Sequence, residues 1–340
     1  MRKIVYFTLL VFLIACEDNQ AKQEGQKESA TEIVIKGEAQ GTTYTVKYLA
    51  EEYEEGLKER FDSLLTAIDQ SMSTYVPGST ISALNNGDTV KIDELFRSVY
   101  KLSYNINQQT DGAFDPTIGP LIKAWGFDYA NPQKMDSSLV QDLLANSGFE
   151  QFELNNNLLY RKSPKARINF NAVAQGYSVD LMAGILDKMK LDNYYVELGG
   201  ELKVKGKNKF GDWWVIGIDR PDDANLERNL AQRISLENSA MATSGNYRKF
   251  YEIEGKRYSH TLNPKTGFPA ENTLLSATVI ASDCGTADAL ATAFMVMGVE
   301  KSIEYVKKHP AIKAYFISSL ADGTFETYVS PSLEGNLLTD

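Results

Sequence analysis

Asp288 and Thr292 are the two residues of this sequence whose types and spacing best suit metal chemistry. They lie in a run of small residues, 282–292, that we predict to begin a helix. Side chains at this spacing project from one helical face, so a carboxylate and a hydroxyl would point together near the helix N-terminus. Hard cations prefer such oxygen ligands, which indicates a divalent cation site. An acidic residue at a helix start is also a common cap or dipole partner, and the pattern alone leaves that alternative open.

A second candidate is residues 169–180, which pass from an apolar strand-like stretch through a polar turn into a helical pattern. The first turn of a helix presents unpaired backbone N–H groups and the positive end of the dipole. The segment therefore predicts a phosphate site, although any turn from a strand into a helix has the same outline.

His260 is the candidate general base among the two histidines of the chain. It precedes a turn in the strand-rich half, and an imidazole titrates in the range useful for proton transfer. His309 follows two lysines at a helix end, where solvent or the helix dipole would be its neighbour. Phe114, in a loop rich in glycine and proline, and Tyr75, at a helix end, could line a planar ligand. Both could equally have only a structural role.

The composition limits the possible partners. A formal net charge of −10 over 340 residues argues against nucleic-acid binding through phosphates. An anionic ligand would need a metal ion or a helix N-terminus. With Cys16 lipidated, as considered next, Cys284 would be alone, which argues against a disulfide framework and a cysteine zinc site.

The N-terminus has the features of an export signal. Arg2 and Lys3 precede an apolar stretch, residues 4–14, that is too short to span a bilayer. The following residues resemble a bacterial lipoprotein box, in which Cys16 is lipidated after cleavage behind Ala15; an ordinary signal peptide is the alternative. We expect a signal peptide at residues 1–15, a flexible polar tether at 16–30 and a single domain at 31–340. This organisation predicts a lipid-anchored protein that faces the periplasm or the exterior of a bacterial membrane.

The hydrophobic periodicity predicts an α+β fold. Helices are predicted at residues 57–68, 95–106, 173–189, 283–297 and 300–309. Strands are predicted at residues 33–35, 43–49, 152–161 paired with 166–170, 194–204, 213–218, 248–253, 275–281, 313–318 and 324–329. Because the elements interleave without a regular βαβ rhythm, a mixed strand-rich domain with packed helices is favoured over a doubly wound sheet.

Together, the short motifs resemble those of the ApbE family of flavin transferases, and they occur in the same order. The motifs are residues 40–44, 73–75, 111–116, 171–177, 197–200, 242–245, 259–260 with 263–264, and 287–292. The resemblance implies a T-fold-like α+β domain that transfers FMN from FAD to a threonine hydroxyl of an acceptor protein, with Mg²⁺, and releases AMP. The implied acceptor is a subunit of a membrane redox complex of the Nqr or Rnf kind.

The resemblance also implies roles for individual residues. The implied magnesium site consists of Asp288, Thr292 and the backbone oxygen of Ala172, with Ala291 beside them. The implied FAD contacts are Gln40, Tyr75, Ala113, Phe114, Asp115, Asn169, Gln175 and Leu262. His260 matches the histidine that helps to deprotonate the acceptor hydroxyl, and Asp288 is the second residue expected to be catalytic.

Three positions depart from the usual family pattern, which often has Met at position 40, Asp at 169 and Lys at 175. Without the lysine, a positive charge near the pyrophosphate is lost, so a metal ion must neutralise more of that charge. The alternatives to transfer are a Mg²⁺-dependent FAD hydrolase and a flavin-binding lipoprotein without catalytic activity.

Overall fold

The computed structural model describes residues 30–127, 132–221, 229–246, 250–253, 256–259 and 261–339. The helices within these ranges are α1 (Leu57–Met72), α2 (Thr80–Asn86), α3 (Glu94–Gln109), α4 (Gly119–Trp125), α5 (Ser137–Ala145), α6 (Ala174–Lys188) and α7 (Cys284–Lys308). The strands are β1 (Thr31–Ala39), β2 (Thr42–Ala50), β3 (Val90–Lys91), β4 (Phe152–Asn155), β5 (Leu158–Arg161), β6 (Tyr194–Leu198), β7 (Glu201–Lys205), β8 (Trp214–Asp219), β9 (Leu230–Leu236), β10 (Ala240–Gly245), β11 (Phe250–Ile253), β12 (Lys256–Ser259), β13 (Leu274–Ala281), β14 (Lys313–Ser319), β15 (Phe325–Val329) and β16 (Leu337–Leu338).

An eight-stranded sheet, in the order β1-β2-β6-β7-β10-β13-β14-β15, forms the centre of the fold. Every neighbouring pair in it is antiparallel. Side chains alternate between its two faces, and both faces are apolar along the central strands. On one face, α6 and α7 pack directly on the strands, and α1, α2 and α3 complete the helical layer. The other face is covered by a small sheet in the order β16-β9-β8. The predicted α+β class is therefore confirmed.

The predicted first hairpin is also confirmed, with β1 and β2 joined by Gln40 and Gly41. Both residues have positive φ, 53° and 73°, which is the conformation of a type I′ turn. Glycine adopts this conformation without cost, whereas a glutamine there is uncommon. The turn places Gln40 beside α6.

The prediction of two helices after residue 282 is confirmed in substance. They are joined into α7, which is interrupted at Gly298, where φ is 76° and ψ is 178°. Asp283 caps the N-terminus, since its side chain accepts a hydrogen bond from the backbone N–H of Thr286 at 2.9 Å. In the part of the chain that the structure describes, no helix combines the length and hydropathy needed to cross a membrane.

The predicted strand at residues 166–170 is wrong. Residues 152–161 form their own hairpin, β4 and β5, and Arg167 makes only an isolated bridge with Ile118. The side chain of Asn85 takes the place of a neighbouring strand: it donates to the Ile168 carbonyl at 2.8 Å and accepts from the Ile168 N–H at 2.9 Å. The buried backbone is thus satisfied without a ladder. Helices α2, α4 and α5 and strands β3, β9, β10, β12 and β16 were not predicted. The strand predicted at residues 194–204 is two antiparallel strands, β6 and β7, joined by Gly199 and Gly200.

Candidate active site

Helices α6 and α7 cross in very close contact at Gly176. A Cβ atom on this residue would lie 2.4 Å from the carbonyl oxygen of Cys284 and 2.8 Å from the Cβ of Asp288. The close approach lets the Gly176 N–H donate to Asp288 Oδ2 at 3.1 Å. The start of α6 and the helix that was predicted to bind a metal ion, α7, therefore meet at one point, which contains Asp288.

Asp288 is a buried carboxylate, with 6% of its surface exposed. Among the described residues, no cationic side chain forms an ion pair with it. Burial raises the pKa of Asp288 to about 7, and the Gly176 N–H only partly opposes this shift. A buried negative charge is costly without a compensating partner, so the residue is suited to a cation.

Thr292 lies one helical turn further along α7, over strand β10. Its Oγ1 is 3.2 Å from Oγ of Ser244, and either hydroxyl can donate. The predicted shared face of Asp288 and Thr292 is thus present in the helix. Ala291 is fully buried in the core, and its side chain offers no oxygen.

Ala172 and Gln175 lie at the N-terminal end of α6. Ala172 belongs to the turn before the helix, and the N-cap residue Val173 provides no side-chain cap. Gln175 directs Nε2 toward Gly199, where it would be 3.0 Å from a Cβ placed on that glycine. Gly199 has a φ of 67°, as the turn between β6 and β7 requires.

Gln40 contacts the same helix from the β1–β2 turn. Its Nε2 donates to Ser178 Oγ at 2.8 Å, while its Oε1 is buried without a hydrogen-bond partner. The predicted FAD contacts at positions 40 and 175 therefore both lie at the first turns of α6.

A chain of hydrogen bonds connects the other predicted FAD contacts that precede α6. Asn169 accepts from the Asn171 N–H at 2.8 Å, and the Asn171 side-chain amide donates to the Tyr75 hydroxyl at 2.9 Å. The Asn169 N–H donates to the Pro116 carbonyl at 2.8 Å. Tyr75 is 55% exposed, so it does not simply cover the core. These hydrogen bonds hold Tyr75 and the loop around Asp115 to the segment 169–171.

Ala113, Phe114 and Asp115 form a rigid loop after α3. The Asn107 side-chain amide donates to the Phe114 carbonyl at 2.8 Å, and both Ala113 and Phe114 are buried. Asp115 accepts from the Thr117 N–H at 2.8 Å. Burial raises the pKa of Asp115, although these hydrogen bonds oppose the shift.

An open cleft of about 660 Å³ lies beside this loop. It is lined by Tyr100, Tyr104, Asn107, Gln108, Gly112, Asp115, Gly148, Phe149, Glu150, Pro264 and Lys265. Leu262, another predicted FAD contact, is buried with α4 and α5 near the cleft and forms a bridge with Pro269. His260 lies outside the described residues, as do the predicted signal peptide and Cys16.

Two carboxylates near Asp288 were not predicted from the sequence. Burial raises the pKa of Glu201, and the negative charge of Asp288 raises it further. Asp180 accepts from the Gly285 N–H at 2.9 Å and from Lys203 Nζ at 2.8 Å, joining α6, α7 and β7. The sequence did contain a signal for Glu201: it is an acidic residue directly after Gly199-Gly200, at a strand position whose side chain points toward the core.

Known proteins share both this sequence pattern and this fold. The model of the ApbE family matches residues 40–316. The FAD:protein FMN transferase of Vibrio cholerae is 33% identical over 321 residues, covering 91% of this chain and 94% of that protein. The FAD:protein FMN transferase of Haemophilus influenzae is 35% identical over 298 residues, covering 84% of this chain and 86% of that protein. The solved structure of the flavin transferase ApbE from Vibrio cholerae has a TM-score of 0.81 at 32% identity and covers 91% of this chain and 100% of its own. The chain belongs to the ApbE family.

Proposed function

We propose that this protein transfers FMN from FAD to a threonine hydroxyl of an acceptor protein. The hydroxyl oxygen attacks the phosphorus on the FMN side of the pyrophosphate. The bond from that phosphorus to the bridging oxygen breaks, AMP leaves, and the hydroxyl proton passes to a base. Family membership supports this activity, and so does the similarity to two FAD:protein FMN transferases. The observation that carries it is the buried, uncompensated Asp288 at the meeting point of α6 and α7.

The donor set at this point fits Mg²⁺. Asp288 offers a carboxylate, Thr292 a hydroxyl one helical turn away, and Ala172 a backbone carbonyl in the turn before α6. All three are oxygen ligands, which Mg²⁺ prefers. The metal ion, when bound, neutralises the pyrophosphate and polarises the phosphorus–oxygen bond that breaks.

The remaining residues bind and orient FAD. Tyr75 is proposed to stack on the isoalloxazine ring, which its exposure and its hydrogen bond with Asn171 support. Gln40 and Gln175 supply neutral amides near the start of α6, where the helix dipole favours the phosphates. Ala113, Phe114, Asp115, Asn169 and Leu262 are proposed as further FAD contacts, and His260 as the base for the acceptor hydroxyl.

The test uses purified protein, FAD, Mg²⁺ and a candidate acceptor, with intact mass reporting an added FMN. Asp288→Ala is expected to abolish transfer while the protein stays folded, because the cation loses its carboxylate. Asp142→Ala is the control, since Asp142 forms only an exposed ion pair with Lys165. Unchanged transfer by Asp288→Ala would reject the assigned role. AMP released without an acceptor would identify the hydrolase alternative.

We further propose that Cys16 carries a lipid and that the acceptor is a subunit of a membrane redox complex. The sequence around Cys16 supports the anchor, because a short apolar stretch precedes a lipoprotein-like box. Cys16→Ser should move the protein from the membrane fraction to the soluble fraction and remove the lipid mass from its N-terminal peptide. Retention of the variant in the membrane would contradict the anchor.

A further inference from the structure

Glu201 begins strand β7 and faces the helices α6 and α7. It pairs with Leu198, a core residue on the helical side of the sheet, and paired residues lie on the same face. Lys203 and Lys205 follow on this face by alternation. The lysines have acidic partners on α6: Lys203 contacts Asp180 at 2.8 Å, and Lys205 contacts Asp187 at 2.9 Å.

Glu201 differs from these two neighbours because one of its oxygens has no partner. Its Oε2 is buried and makes no hydrogen bond with any residue that the structure describes. A buried carboxylate oxygen without a partner is destabilising, and more so when the group is charged. The site therefore lacks a group that would satisfy this atom.

The unpaired oxygen lies beside Gly199 and the side chain of Gln175, which directly precedes the residue that bonds Asp288, Gly176. It would be 3.4 Å from a Cβ on Gly199, and Gln175 Nε2 would be 3.0 Å from the same point. Of the charged side chains around Glu201, Asp288 raises its pKa most. Gln175 is neutral, and no ion pair joins Glu201 or Asp288 to a cationic side chain within the described ranges.

We propose that Glu201 supplies a second carboxylate to the divalent cation held by Asp288 and Thr292, directly or through one bound water. The inference rests on the proposed function, because it concerns the same cation. Two carboxylates in one buried pocket repel each other, and a divalent cation removes this repulsion while satisfying the unpaired oxygen. The second negative charge also strengthens the binding of a divalent cation. This matters in a chain that has the neutral Gln175 at a position where the family often has a lysine.

The test measures binding of Mn²⁺ alone, without FAD, by electron paramagnetic resonance and calorimetry at pH 8. Glu201→Gln keeps the shape of the side chain and removes its charge. We expect it to weaken Mn²⁺ binding about 10- to 100-fold. Glu197→Gln is the matched control: Glu197 pairs with Leu202 on the opposite face of the sheet, and a glutamine retains an oxygen for the Gly200 N–H. Its Mn²⁺ affinity should match that of the unmodified protein.

The outcomes separate this inference from the transfer activity. Glu201→Gln with Mn²⁺ affinity within twofold of the unmodified protein would overturn the inference, as would an unmodified protein that binds no Mn²⁺. Either result would leave the proposed function standing if FMN transfer still requires Mg²⁺. Failure of the unmodified protein to transfer FMN would reject the function itself, whatever its metal affinity. Urea unfolding without metal checks the fold, and Glu201→Gln should be at least as stable because like-charge repulsion is removed.

Discussion

Replacement of Gly176 by alanine should separate α6 from α7. The added Cβ would lie 2.4 Å from the Cys284 carbonyl oxygen and 2.8 Å from its carbonyl carbon, both backbone atoms of α7. Normal contact requires more than about 3.2 Å, so the helices must part by nearly 1 Å. Overpacking of this kind costs about 1–3 kcal/mol. Alanine recovers about 1 kcal/mol through its higher helix propensity, which leaves a net loss of between about 0 and 2 kcal/mol.

Gly184→Ala in the same helix is the matched control. Nothing lies within 4 Å of a Cβ at position 184, so only the helix propensity changes. This variant should be more stable than the unmodified protein by about 0.5–1 kcal/mol. Urea unfolding followed by circular dichroism measures both changes, and they should have opposite signs.

Gly176→Ala should reduce the rate of FMN transfer more than it reduces the free energy of unfolding. Parting the helices lengthens the 3.1 Å hydrogen bond from the Gly176 N–H to Asp288 and moves the carboxylate from its position. A displacement of about 1 Å costs on the order of 100-fold in rate. FMN transfer is measured by intact mass under conditions in which the variant is fully folded. If Gly176→Ala and Gly184→Ala were equally stable and equally active, the reasoning about this crossing would be refuted.

Two further predictions concern pH and buried hydrogen bonding. In metal-free protein, the pKa of Asp288 is raised from 3.8 to about 7, so the folded state keeps a proton that the unfolded state loses. Stability should therefore fall as pH rises from about 4 to 7, by roughly 2–4 kcal/mol, and Asp288→Asn should flatten this profile in urea titrations with EDTA. If the stability of Asp288→Asn fell with pH as steeply as that of the unmodified protein, the raised pKa could not belong to Asp288. Asn85→Ala removes both hydrogen bonds to the Ile168 backbone and should cost about 2–4 kcal/mol by urea unfolding, whereas a loss below about 0.5 kcal/mol would contradict their role.

The helices of the site were predictable because their patterns are local. Apolar periodicity located α6 and α7 to within a residue or two, and the spacing of Asp288 and Thr292 determined their common face. The break between the two predicted helices coincides with Gly298, a residue that can adopt positive φ. Such features depend on residues close in sequence.

The missed features depend on contacts between distant residues. Strand β10 has the sequence Ala-Met-Ala-Thr-Ser-Gly, which has little strand propensity, and it is ordered by β13 and β7 on either side. The segment around Ile168 resembles a strand in composition but bonds to the Asn85 side chain. Glu201 acquires its significance only from Asp288, which belongs to another element. No local pattern could indicate that Asp288 would act on the pKa of a residue so distant in sequence.

Asp180 links the elements that carry the two carboxylates of the site. Glu201 belongs to the sheet and Asp288 to a helix, so the gap between their carboxylates depends on how that helix is seated. Asp180 connects the sheet with this helix, since its carboxylate accepts hydrogen bonds from Lys203 of β7 and from the Gly285 N–H at the start of α7. In the proposed cation site, loosening this connection should change the cation selectivity, because a wider gap suits a larger ion. The metal preference of that proposed site would then depend on Asp180, which need not touch the metal.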